Sequence, residues 1–176
     1  NNLNEDYIDP ILGDLAGSGL EDDVFAMPGG SPRAGARAIF DRYLYLMHAA
    51  ERNVQIARVN PRMPDGGSGI TTADALNEFR AMSASLGPVK MGILEHNAQR
   101  VYAMLRQALK RRLSSGLISR ESYDAMTSAF RRYVPLQGFA ESYNFEDESE
   151  FMGGPGLNVR GKEFKRALGR TSEADE

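Results

Sequence analysis

The chain contains no cysteine, which excludes disulfides, thiolate metal sites and cysteine nucleophiles and leaves the redox compartment open. It has no apolar run near the roughly 18 residues that a membrane span needs, and no signal-peptide pattern at its start. Positive charge is missing from the beginning: no Lys or Arg precedes Arg33, while Glu5, Asp6, Asp9, Asp14, Glu21, Asp22 and Asp23 crowd the same stretch. A second acidic cluster, Glu141, Glu146, Asp147, Glu148 and Glu150, lies toward the end, so the net charge of -3 hides a basic middle between acidic flanks. The first residue is Asn rather than Met, and we expect a segment of a longer or processed chain.

A length of 176 residues has room for one domain of ordinary size. The 18 Gly and 8 Pro concentrate in 29–35, 61–69 and 153–161, the pattern of helices separated by long loops. Up to residue 34 the apolar words are short and follow no sustained period: Tyr7-Ile8, Ile11-Leu12 and Val24-Phe25-Ala26-Met27. That reads as an extended acidic arm over 1–34, with Ser31-Pro32 as a helix start.

The stretch from Tyr43 to Gly69 organises the rest. From Ala36 the apolar residues Ile39, Phe40, Tyr43, Leu46, Met47, Ala50, Val54 and Ala57 alternate at three and four, predicting a helix with one buried stripe. Its other face offers Arg37, Arg42, Arg52 and Arg58 to solvent or to an acidic partner, and Asn60-Pro61 ends it. Asp65, Gly66, Gly67 and Gly69 then predict a specified structural loop, because so many glycines imply backbone angles that a side chain forbids. Thr71 or Thr72 caps a second helix, with Asp74 near the positive end of its dipole and Leu76, Phe79, Met82 and Leu86 as its apolar edge. Gly87-Pro88 breaks that helix and starts a third, which runs to about Ser115 and stops at Gly116. Ser119 caps a fourth, with Tyr123, Met126, Phe130 and Tyr133 in phase up to Val134-Pro135, folding back on the third as a hairpin. The expected fold is all-α: an extended arm, a helical domain of about four helices over 35–135, and an extended acidic and Gly-rich tail over 136–176 with a short basic helix at 162–168.

His48 with Glu51 and Arg52 is the nearest approach to a catalytic cluster. A zinc protease needs a second histidine four residues on, and Arg52 stands there instead. His96 lies in another helix, and both histidines read as polar helix positions. The glycine loop invites a phosphate-binding reading, since N–H groups before a helix can hold an anion. No strand precedes it and no Lys-Ser/Thr pair follows, so a structural turn is the better reading. Carboxylates such as Glu51, Asp65, Glu78 and Glu95 could pair for glycoside hydrolysis only if the fold set two of them across a sugar. We therefore expect no catalytic residue, no cofactor and no metal ligand here. The basic side of the third helix (Arg106, Lys110, Arg111, Arg112), together with Arg131 and Arg132, is the candidate partner-binding surface, for acidic protein or for DNA phosphates.

With these residues in hand, one resemblance emerges. His48-Ala-Ala-Glu-Arg-Asn53, Ile56-Ala57, Asn60 and Asp65-Gly-Gly-Ser-Gly69 resemble a block of the large polyvalent, or PLxRFG, proteins of tailed phages and prophages. Ser115-Gly-Leu-Ile-Ser119, Glu121, Tyr123, Met126, Tyr133-Val-Pro-Leu136, Gly138-Phe139, Gly161-Lys162-Glu163 and Arg166-Ala-Leu-Gly-Arg170 extend it over roughly 35–170. The Pro135-Leu136 word continues Gln137-Gly138-Phe139 where that family has Arg-Phe-Gly.

The resemblance implies an α-helical structural segment of a bacteriophage internal virion (ejection) protein, held in the capsid interior and passing into the host cell envelope with the genome. Its implied partners are other virion proteins and further copies of itself, and enzyme modules would sit elsewhere in the parent chain. A nucleic-acid-binding helical module and a murein-degrading enzyme are the competing expectations.

Overall fold

A helix of 24 residues, Ala36–Val59, is the axle of the molecule. The computed structural model describes residues 4–27 and 30–132, and most of its core is built against this helix. Ile39, Phe40, Tyr43, Leu44, Tyr45, Leu46 and Ala49 are all buried, so the middle of the helix is covered on every side instead of along one stripe. Arg42 and Arg52, expected on a solvated face, are 3 % and 2 % exposed. Val54 and Ala50, expected inside, are exposed, because toward its C-terminus the helix turns Asn53 and Ile56 to the following loop. Asn60 ends it with extended angles before Pro61.

The residues before it differ from an extended arm. A π-helical turn, Asn4–Ile8, leads into α1, Asp9–Ala16, with a proline in its first turn. Ile11 and Leu15, one helical turn apart, are buried, as are Leu20 and Phe25, and all four join the central cluster. The reason lies in spacing: two buried positions on an eight-residue helix are too few to produce a visible period. Two strands of two residues, β1 (Val24–Phe25) and β2 (Arg33–Ala34), then pair antiparallel, with Val24 opposite Ala34 and Phe25 opposite Arg33. Ser31-Pro32 thus leads into a strand. The long helix, α2, starts after Gly35, whose φ of 85° no other residue type adopts readily.

α3 spans Thr72–Ser114 and is interrupted at Gly87, where φ 78° and ψ 170° put a sharp joint before Pro88. Thr71 caps it, its hydroxyl accepting from the Asp74 amide at 3.0 Å. Along the first arm Ala75, Glu78 and Met82 face α2, while Leu76 is exposed. Leu94, Ala98 and Tyr102 continue the core beyond the joint. Lys90 pairs with Asp23 and Arg100 with Asp14, fastening the N-terminal segment to the second arm.

Gly116, at φ 70°, ends α3 by returning its own amide to the Leu113 carbonyl and the Leu117 amide to that of Arg112, a Schellman closure. α4, Arg120–Ala129, is capped by Ser119 and folds back against α3. It ends four residues before Tyr133: Phe130 is extended, at φ -127° and ψ 110°, and reaches across to α2. The protein is mostly helical with one minimal sheet. None of its described helices is long and apolar enough to cross a membrane. The tail expected over 136–176, with its helix at 162–168, lies outside the described residues.

Candidate functional site

The loop 65–72 is tied to α2 by side chains that take up its backbone groups. Asn53, on the inward side of α2, accepts from the Ser68 amide at 2.8 Å and donates to the Ile70 carbonyl and the Thr72 hydroxyl. Asp65 accepts from the amides of Gly66 and Thr72 and from the Thr72 hydroxyl. Burial tends to raise its pKa, but these bonds outweigh it and hold the carboxyl below its ordinary value. Asp65 therefore occupies donors that a phosphate would use.

Two of the loop glycines, Gly66 (φ 78°) and Gly69 (φ 104°), have left-handed backbones. Gly67 is there for a different reason: a Cβ would overlap Ile56 of α2. All four expected loop residues thus meet at one junction, where they build structure.

A second set of polar residues, not foreseen, runs through the core. The Arg42 guanidinium donates to both oxygens of Glu78, Nε to Oε1 at 2.6 Å and Nη2 to Oε2 at 2.7 Å. It also stacks 4.8 Å above the Tyr45 ring, whose hydroxyl donates to the Ser68 carbonyl at 3.3 Å. On the next residue of α2, the Tyr43 hydroxyl donates to Glu95, which also accepts from Gln99. The Tyr43 bond, more than any other influence, lowers the Glu95 pKa, while burial and that carboxylate raise the tyrosine's. His48 is fully buried, with its ring 5.3 Å from that of Phe130. Burial, with Arg52 adding to it, depresses its pKa to about 3, and so the imidazole is neutral near pH 7. His96, by contrast, is exposed on α3, and the two do not form a pair. The sequence signal for this interior is a polar row on α2, at 42, 45, 48, 52 and 55, with helical spacing.

The six basic candidates separate into two groups. Lys110, Arg111 and Arg112 occupy the last turns of α3, where cations complement the helix dipole. Arg106, Arg131 and Arg132 come together with Gln99, Tyr102 and Thr127 around a groove of about 340 Å³ between α3 and the end of α4. The Arg132 amide donates to Glu51 at 3.0 Å, which fixes this side of the groove to α2. Tyr102 is 3 % exposed, and among the described residues its buried hydroxyl has no hydrogen-bond partner. Burial, reinforced by Glu95, raises its pKa, so the phenol remains a donor. A small apolar cleft lined by Leu105, Leu109 and Met126 shares Tyr102, Arg106 and Arg131 with the groove. This cationic groove with an apolar end is the feature best suited to recognition.

No known protein family, curated protein or solved structure matches this chain.

Proposed function

We propose that this chain is an α-helical structural segment of a bacteriophage internal virion protein. It is packaged inside the capsid, leaves with the genome at infection, and is partnered by copies of itself or by neighbouring virion proteins. The phage setting rests on the resemblance of the words around His48–Asn53 and Asp65–Gly69. One observation carries the structural role: the polar residues of those words, His48, Arg52, Asn53 and Ser68 buried and Asp65 at the surface, are taken up in holding the fold. Asn53 and Asp65 clamp the loop, and His48 is neutral and sealed beneath Phe130. Residues so occupied serve architecture.

The test is protease protection in purified particles. The chain should be detectable by mass spectrometry in intact virions, resist added protease, and become digestible once capsids are opened. Digestion before opening, or absence from particles while it accumulates in infected cells, would overturn the reading.

A second reading, nucleic-acid binding, is favoured by the convergence of Arg106, Arg131 and Arg132 on one groove. A salt series separates the two. Phosphate contacts give a slope of roughly 0.9 per contact in log affinity against log salt. On the structural reading DNA binding is weak and does not change when the three arginines are neutralised.

A further inference from the structure

The groove between α3 and α4 combines features that no structural role of these residues uses. Arg106, on α3, and Arg131 and Arg132, just past the end of α4, line it, and Arg106 and Arg131 are exposed. A guanidinium presents a planar fork that matches a carboxylate at two points. Tyr102 contributes to the floor a buried hydroxyl that lacks an acceptor among the described residues. Next to these cations, the cleft of Leu105, Leu109 and Met126 has room for the end of one apolar side chain. An apolar anchor point rimmed by arginines is the common anatomy of a peptide-binding hot spot.

We propose that this groove docks an acidic peptide segment of another protein chain, one in which an apolar side chain stands beside two or more carboxylates. The carboxylates take the Arg106 and Arg131 guanidinium donors, and the apolar side chain enters the cleft. Nucleic acid fits less well. The aromatic rings at the groove, Tyr102 and Phe130, are 3 % and 7 % exposed and cannot stack on bases. The proposal is independent of the virion setting.

The probe is a labelled nonapeptide, Asn-Phe-Glu-Asp-Glu-Ser-Glu-Phe-Met, which is the sequence of residues 144–152 of this chain and has the required chemistry. Its binding is followed by fluorescence anisotropy to the full chain and to a full-chain variant carrying E146Q, D147N, E148Q and E150Q, in which the chain's own copy of that word has lost its carboxylates. Saturable binding to either form is expected, and none of a peptide with amides in place of the carboxylates. R106A and R131A should each weaken binding about tenfold or more, the level of a hot-spot arginine. R80A, exposed on α3 outside the groove, should leave it unchanged. Unfolding midpoints of R106A and R131A equal to the parent's would show that the loss is local. No saturable binding to either form, equal binding of the amide peptide, or binding of a single-stranded oligonucleotide in place of the peptide would each overturn the proposal.

Discussion

Arg42 and Glu78 meet in a two-point fork inside the protein, with the side chain of each almost wholly withdrawn from water. Desolvating two charges is expensive, and a buried pair offsets that cost only through good geometry, so it stabilises weakly while its rupture is severe. Glu78→Gln, which takes the carboxylate charge out of the fork, should destabilise by about 3–5 kcal/mol in urea unfolding. The double replacement Arg42→Met with Glu78→Leu should recover most of that loss. A neutral Glu78→Gln would mean that the fork carries no such penalty.

The second prediction concerns pH. His48 has a folded pKa of about 3 against 6.5 for the free side chain. Because the folded pKa is depressed, the unfolded chain binds more protons between those values, and stability is present above 6.5 and lost as pH falls toward 3. The slope from this one group approaches about 1.4 kcal/mol per pH unit. Glu95 and Asp65 also have depressed pKa values and add their own loss at the acid end. Comparing His48→Leu with the parent isolates the histidine. The variant's stability should vary less between pH 6.5 and 4, and parallel curves would refute the assignment.

The third concerns the loop. Gly67→Ala should cost about 1–3 kcal/mol by driving a methyl group into Ile56. Gly66→Ala should cost about 1–2 kcal/mol by another route, the left-handed backbone at φ 78°. The two mechanisms part in a double-mutant cycle. Ile56→Ala should relieve Gly67→Ala, giving a coupling of about 0.5–3 kcal/mol, and should leave the cost at Gly66 unaltered. Simple additivity at Gly67 would remove the close-approach argument.

The fourth concerns the N-terminal segment. Leu20 is 0 % exposed within the central cluster, so Leu20→Ala should cost about 2–5 kcal/mol of global stability. An extended arm lying on the surface would give a small effect. Native-state hydrogen exchange provides the same test without mutation: α1 amides should be protected, and amides that exchange at random-coil rates would contradict the observed packing.

Where the sequence was legible, local chemistry decided the structure. Asn60-Pro61, Thr71, Gly87-Pro88, Gly116 and Ser119 each act through their own backbone or hydroxyl, and the structure ends, caps or bends its helices there. What stayed hidden depends on distant residues. Arg42 looks solvated until Glu78, 36 positions later, is placed opposite it. The role of Gly67 cannot be inferred without Ile56, and the helix around Ile11 and Leu15 is too short to show a period. The three groove arginines read as surface charge because Arg106 lies on α3 and the pair at 131–132 follows α4, more than twenty positions later.

The joint at Gly87 solves a problem of lengths. As a straight rod, the 43 residues of α3 would reach about 65 Å, far beyond the roughly 36 Å of the 24-residue α2. Yet Arg42 and Tyr43, consecutive on α2, grasp Glu78 and Glu95, which stand on opposite sides of the joint. On an unbroken helix those two carboxylates would be about 25 Å apart along the axis, out of reach of neighbouring side chains. The elbow folds one long lever so that both of its arms bear on the same short stretch of the axle.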